Sequence, residues 1–171
     1  PELHQALEAA GFQDFDPTFV LGRRISKGEQ RLSKNVTLQP MPLADFVQLR
    51  AELSKTPLEK WDIYKTILSL ILPEKIMLGL FVDGKPVACG MGVVEGVFLG
   101  YFSIYTHRSE RRHGYGRAAM HALTDWGVEQ GATFGYLQVE GHNAPALAMY
   151  KKMGFENCYR YVYYKKQGLG D

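Results

Sequence analysis

A run of basic residues and glycines stands where an apolar segment gives way to a helical pattern. The run, here called the basic loop, consists of Arg111, Arg112, His113, Gly114, Tyr115, Gly116 and Arg117. Glycines let backbone N–H groups approach an anion, the start of a helix presents free N–H groups and the positive end of its dipole, and arginines add charge-assisted hydrogen bonds. Proteins hold a pyrophosphate by these means. The alternative is a solvated loop that only caps the helix.

A second segment lies at the far end of the strand that follows the basic loop. It begins at Asn143 and ends in Tyr150, Lys151, Lys152, Met153, Gly154 and Phe155. A basic glycine loop, a helix, a strand and an Asn-led helix, in that order, resemble the Gcn5-related N-acetyltransferase (GNAT) family. The resemblance covers roughly Val36 to Lys166. Each motif is common singly, and the two are specific in combination.

The resemblance implies a fold, a cofactor and a reaction. The implied fold is α/β (α+β) and GNAT-like, with a mixed central sheet of about six to seven strands flanked by helices. An antiparallel meander is followed by a parallel pair that splays apart at the cofactor. The implied reaction moves an acetyl group from acetyl-CoA to a primary amine of a small molecule, peptide or protein, by direct attack of the amine on the thioester.

The resemblance also assigns residues to the cofactor. Unpaired backbone N–H groups on a splayed strand would polarise the thioester carbonyl. By resemblance, the cofactor contacts are the basic loop from Arg111 to Arg117 and, outside it, Ile104, Tyr105, Thr106, Asn143 and Ala146. Asn143 is also expected to be the N-cap of its helix, with Pro145 in the first turn.

Tyr150 occupies the position where the family often keeps a general acid next to the cofactor sulfur. On its helix it shares a face with Ala146, Leu147 and Met153. The alternative is therefore a tyrosine packed on the sheet with its hydroxyl hydrogen-bonded.

The reaction also needs a general base, because an amine acceptor must lose a proton before it attacks. Some family members place a glutamate on the preceding strand at the position that here is Gln138, and glutamine cannot act as a base near neutral pH. Glu140 is two residues further and points to the same face of a strand. It is the substitute candidate, or else a solvated charge at the strand end. Weaker options are Glu95, His107 and His142.

Periodicity predicts three main helices and a meander. The helices run over about Leu43 to Ser54, from a Thr56/Glu59 capping box to Pro73, and over about Tyr115 to Gln130. The first of them has a mostly apolar stripe made of Leu43, Phe46, Val47, Arg50 and Leu53. Three antiparallel strands are predicted before the basic loop, with a hairpin turn at Asp83-Gly84; later strands are expected at Thr133 to Val139 and Cys158 to Lys165.

The division of the chain is expected at about residue 35, with residues 1–35 as an N-terminal helix and strand and residues 36–171 as the acetyltransferase domain. Ala9-Ala10-Gly11-Phe12, followed by Phe19-Val20-Leu21 and two arginines, echoes the Lys152–Phe155 segment and the strand after it. One interpretation is a remnant of a first GNAT-like copy. The other is an ordinary N-terminal helix with an added edge strand.

Composition narrows the function classes. A chain of 171 residues with 46% apolar residues and a net charge of +2 fits one enzyme-sized domain, and no apolar run reaches the about 18 residues that cross a bilayer. We expect a cytoplasmic monomer or homodimer with no nucleic-acid partner, no membrane partner and no metal. Cys89 and Cys158 are expected to be small core residues in a reducing compartment. Two other classes stay open: a catalytically silent acyl-CoA-binding module, and a nucleotide- or RNA-binding protein, which the antiparallel meander before the loop disfavours.

Overall fold

The structure, a computed structural model, describes residues 2–28 and 35–166. The helices of these ranges are α1 (Glu2–Ala9), α2 (Leu43–Ser54), α3 (Asp62–Ser69), α4 (Tyr115–Glu129) and α5 (Ala144–Lys152). The strands are β1 (Phe12–Arg24), β2 (Val36–Pro40), β3 (Glu74–Val82), β4 (Lys85–Glu95), β5 (Phe98–Thr106), β6 (Phe134–Glu140) and β7 (Glu156–Lys166). Residues 29–34, which belong to the predicted N-terminal segment 1–35, lie outside the described residues.

The described strands form one mixed sheet in the order β2-β3-β4-β5-β6-β1-β7, in which one neighbouring pair is parallel. This confirms the predicted fold class. The antiparallel run before the basic loop has four strands, β2 to β5, rather than the predicted three, because β2 pairs antiparallel with β3. β2 has only five residues and ends in Pro40, so the alternation of its partly buried Val36 and Leu38 with exposed residues is too short to identify a strand in the sequence. β1 lies between β6 and β7 and not at the edge of the sheet, so the interpretation of the N-terminal strand as an added edge strand is wrong.

The chain forms two compact units. The core unit is Arg24–Tyr136, and the terminal unit comprises the described residues of Pro1–Arg23 and Leu137–Asp171. In the core unit, the β3–β4 turn has positive φ at both Asp83 (49°) and Gly84 (77°), as a tight two-residue hairpin requires. This confirms the predicted hairpin.

Glycines on β4 bring α4 close to the sheet of the core unit. A Cβ atom at Gly90 would lie 2.7 Å from Ile104 Cδ1 and 3.2 Å from Leu123 Cδ1. At Gly92 it would lie 3.1 Å from Trp126. The missing side chains therefore let Leu123 and Trp126 of α4 pack directly on β4, which fixes the direction of α4 from its first residue.

The segment from Thr56 to Pro73 does not form the one continuous helix that was predicted. Residues Leu58–Trp61 make a 3₁₀ turn, α3 follows with eight residues, and neither start has a side-chain cap. Thr56 donates its N–H to the carbonyl of Ala51 at 3.1 Å, next to Lys55 with φ 56°. Thr56 thus completes the C-terminal cap of α2 and does not begin the next helix.

In the terminal unit, α1 and β1 repeat the geometry of α5 and β7. Gly11 follows α1 with φ 82°, and Gly154 follows α5 with φ 81°. The N–H of Gly11 donates to Glu8 and that of Gly154 to Lys151, both at 3.0 Å. The two helix ends therefore have the same hydrogen-bonded cap followed by a strand, and β1 pairs antiparallel with β7.

Candidate active site

The basic loop opens α4 in the core unit. A 3₁₀ turn at Arg108–Glu110 leads into it, and Gly114 is the N-cap of α4 with φ 84°. The cap has no side-chain hydrogen bond, and the first turn of α4 holds no acidic residue. The first N–H groups of the helix are therefore unpaired within the helix and free of negative side chains, which suits an anion.

The charged side chains of the basic loop are exposed around this helix start: Arg111, Arg112, His113 and Arg117. Contacts with neighbouring residues hold His113 and Arg111 in place. The His113 ring stacks on Tyr115 with centroids 5.7 Å apart, and the guanidinium carbon of Arg111 lies 5.8 Å from the centre of the Tyr105 ring. Arg111 Nε also donates to the carbonyl oxygen of Thr106 at 3.4 Å. The structure thus brings the basic loop together with the end of β5.

Strand β5 carries a bulge just before its end. Cys89 pairs with Tyr105 and Met91 with Phe102, so Gly90 alone stands opposite two residues of β5. One of those two residues is Ser103, a non-glycine residue with φ 54°. A bulge leaves a ladder hydrogen bond unmade and redirects side chains. The structure therefore places Ile104 in the break in the ladder and Tyr105 and Thr106 directly after it. The contact of these residues with a thioester stays a prediction.

Sequence reasoning missed a cluster beside this bulge. The guanidinium carbon of Arg50, on α2, lies 3.8 Å from the centre of the Tyr105 ring and 5.0 Å from that of Trp61. Tyr64 on α3 and Ser103 on β5 share a hydrogen bond between their hydroxyls. The available signal was a single arginine on the apolar stripe of α2.

Tyr150 is buried in the terminal unit, with 7% of its surface exposed. Its ring packs edge-on against Phe155, with centroids 5.9 Å apart. Burial raises the pKa of the Tyr150 phenol to about 12. The described residues offer its hydroxyl no hydrogen bond, and this differs from the alternative of a packed tyrosine with a satisfied hydroxyl.

Asn143 caps α5, as predicted. Its side-chain oxygen accepts a hydrogen bond from the N–H of Ala146 at 3.3 Å, and Pro145 lies in the first turn. The two residues assigned to the cofactor on this helix are therefore partners in the cap itself. Their contact with a cofactor stays a prediction.

Glu140 and Gln138 both lie exposed on β6 and alternate with the buried Leu137 and Val139. Gln138 Oε1 accepts a hydrogen bond from the Tyr161 hydroxyl at 3.0 Å. Glu140 Oε2 lies 3.2 Å from His142 Nε2, and both side chains are more than half exposed. Two of the candidate bases thus form one carboxylate–imidazole pair.

The two cysteines differ in their surroundings. Cys89 is 0% exposed, and burial raises the pKa of its thiol to about 12. Cys158 is exposed, so the expectation that it is a core residue is wrong. Within residues 2–28 and 35–166, no three His, Cys, Asp or Glu side chains stand together as a metal site. In the same ranges, no helix combines the length and apolar character that a bilayer span needs.

Comparison with models of known protein families establishes the family of this chain. The model of the acetyltransferase (GNAT) family matches residues 44–155, which include the basic loop and all of α5. The chain belongs to the GNAT family. This confirms the resemblance drawn from the two motifs. A search of curated protein sequences finds no match.

Solved GNAT structures have the same fold at low identity. A tandem GNAT protein from the clavulanic acid biosynthesis pathway superposes with a TM-score of 0.76 at 15% identity, covering 100% of this chain and 60% of that one. A Gcn5-related N-acetyltransferase from Kribbella flavida gives 0.68 at 20% identity, covering 98% and 65%. This chain therefore spans less than two thirds of either protein. The protein AAC(6')-Iy, solved in complex with a CoA bisubstrate analogue, gives a TM-score of 0.61 at 17% identity, covering 77% of this chain and 98% of that one.

Proposed function

We propose that this GNAT protein is an acetyl-CoA-dependent N-acetyltransferase that acetylates a primary amine by direct transfer. The observation that carries the proposal is the basic loop at an uncapped helix start, with no acidic residue in the first turn of α4. Acetyl-CoA supplies an activated acetyl thioester and a pyrophosphate. In this proposal, the N–H groups of α4 and the exposed Arg111, Arg112 and Arg117 hold the pyrophosphate.

We propose Tyr150 as the general acid. Its phenol stays protonated at neutral pH because burial raises its pKa to about 12, and the described residues leave its hydroxyl without a hydrogen bond. A phenol hydroxyl that makes no hydrogen bond within the protein can donate to a ligand atom. In this proposal the Tyr150 hydroxyl donates its proton to the leaving sulfur.

We propose the Glu140–His142 pair as the base in place of Gln138. Imidazole and carboxylate groups both serve as general bases, and the Glu140 carboxylate and the His142 ring lie 3.2 Å apart, within hydrogen-bond reach. The exposed pair would take the proton of an acceptor ammonium directly or through water. The position of Glu140, on the same exposed face of β6 as Gln138, supports this proposal.

A silent acyl-CoA-binding module is the second candidate. The amide oxygen of Gln138 already accepts a hydrogen bond from the Tyr161 hydroxyl at 3.0 Å, so this position supplies no base.

We further propose that α1 and β1 are a remnant of a first GNAT-like copy. The cap at the end of α1, which repeats the cap at the end of α5, supports this. A cytoplasmic location is supported by two free cysteines.

The test is an acetylation screen with acetyl-CoA and a panel of amino acids, peptides, polyamines and aminoglycosides. Release of the CoA thiol and the gain of one acetyl group by mass spectrometry are measured together. Acetylated product that disappears in a Gly116→Glu variant is the expected result. Binding of acetyl-CoA with no product from any amine would favour the silent module.

A further inference from the structure

The Arg50 guanidinium is held between two aromatic rings of the core unit. It lies over the Tyr105 ring of β5 at 3.8 Å and over the Trp61 ring of the 3₁₀ turn at 5.0 Å. Stacking on aromatic faces fixes the plane of a guanidinium and leaves its N–H groups pointing outward at the edge. Arg50 is thus held in position by its faces rather than by its hydrogen bonds.

Two donors in this cluster are buried and unpaired. Arg50 Nη1 and Trp61 Nε1 have no solvent exposure and no hydrogen-bond partner among the described residues. A buried donor without a partner costs free energy, and the cost is larger for a charged group. Because buried polar groups in native proteins are almost always paired, two such donors side by side indicate that a ligand supplies the acceptor.

The charge of Arg50 is also uncompensated. No carboxylate of residues 2–28 or 35–166 forms an ion pair with it. The charge of Arg50 acts on Tyr64 and Cys89, but burial raises the pKa of both groups, so neither supplies a negative charge at neutral pH. The hydroxyl of Tyr64 is already engaged with Ser103. The cluster therefore offers one positive charge and two donors to an incoming anion.

The cluster adjoins the reacting end of the proposed site. Tyr105, which stacks on Arg50, is one of the β5 residues proposed to contact the thioester, and its other neighbour is Arg111 of the basic loop at 5.8 Å. Ser103, bonded to Tyr64, lies in the β5 bulge. A ligand on Arg50 would therefore lie beside the β5 residues that are proposed to contact the thioester.

We propose that Arg50 and Trp61 bind a carboxylate of the acceptor, so that the acceptor is an amine that also carries a carboxylate, such as an amino acid. This inference rests on the proposed acetyltransferase function. A single cation with one neutral donor matches the charge and the two oxygens of a carboxylate. A phosphate would need more cations to balance it.

The test compares amino acids with their own carboxamides, which keep the amine and lose the charge. For the wild-type protein, we expect KM of the acid to be lower than that of the amide by about 10- to 100-fold, the loss expected for a hydrogen bond to a charged group. In Arg50→Met, KM of the acid should rise by a similar factor, so that the preference of the enzyme for the acid over the amide is lost. Arg160→Met, an exposed arginine of β7, is the matched control.

Further measurements distinguish failure of the carboxylate site from failure of the proposed acetyltransferase function. Binding of an amino acid and of its amide is measured by calorimetry in the presence of CoA, which needs no turnover. Acetylation of acid and amide with equal KM in the wild type overturns the carboxylate site and leaves the acetyltransferase standing. Arg50-dependent binding of acids without any acetylation keeps the carboxylate site and refutes the function. If Arg50→Met does not fold, Arg50→Lys and the wild-type pair of ligands decide the question.

Discussion

Replacing Tyr150 with phenylalanine removes one oxygen and keeps the ring. The residue is buried, with 7% of its surface exposed, and its ring packs on Phe155 with centroids 5.9 Å apart. These contacts persist in Tyr150→Phe. The hydroxyl has no hydrogen bond among the described residues, so its loss removes no protein interaction that the structure shows.

The magnitudes follow from this geometry. Loss of a general acid lowers kcat by about 10²- to 10⁴-fold. Removing a hydroxyl that makes no hydrogen bond should leave stability unchanged within about 1 kcal/mol, which is about 2–4 °C in Tm for a chain of this size. Affinity for acetyl-CoA should stay within about threefold.

The assay follows release of the CoA thiol with the best amine of the acetylation screen, next to thermal unfolding and a calorimetric titration with CoA. Leu147→Met on the same helix is the control for repacking. A Tm lower by about 3 °C with unchanged kcat would refute the acid role, because it is the result expected for a structural hydroxyl with a satisfied hydrogen bond.

Three further outcomes are expected. Gly116→Glu should abolish CoA binding by placing a carboxylate in the first turn of α4, whereas Gln130→Glu, at the other end of that helix, should not; equal affinities would contradict the loop assignment. The pH profile of kcat should show no descending limb from Tyr150 below about pH 10, because its protonated form persists with a pKa raised to about 12; a limb near pH 9 that vanishes in Tyr150→Phe would contradict this. Iodoacetamide should label Cys158 and spare Cys89, whose burial raises its pKa to about 12, and Cys158→Ser should keep full activity; loss of activity would point to an acetyl-cysteine intermediate.

Local chemistry made much of the fold predictable. The hairpin at Asp83-Gly84 needed only two residues that tolerate positive φ, and the bounds of α2 follow from its apolar stripe. Where two local signals competed, the prediction was wrong. Thr56 and Glu59 match the sequence pattern of a capping box, but the N–H of Thr56 completes the C-terminal cap of α2.

Features that depend on distant pairing could not be read from the sequence. The position of β1 between β6 and β7 depends on a partner more than 140 residues away, as in the pair Phe12–Lys166. The bulge at Ser103 and the stacking of Arg50 on Tyr105 likewise arise only when β4, β5 and α2 have packed. The motif residues of the candidate site were therefore predictable, whereas the arginine beside them was not.

The most direct test of the account is a thermal-shift titration with acetyl-CoA, CoA and, as a phosphate-only control, ATP. A ligand at one hundred times its Kd adds about 2.7 kcal/mol, which is about 5–10 °C for a chain of this size. The account predicts this shift for acetyl-CoA and CoA, its loss in Gly116→Glu, and no comparable shift for ATP. No shift with either CoA ligand, or a shift with ATP alone, would contradict the proposal that this GNAT fold uses acetyl-CoA.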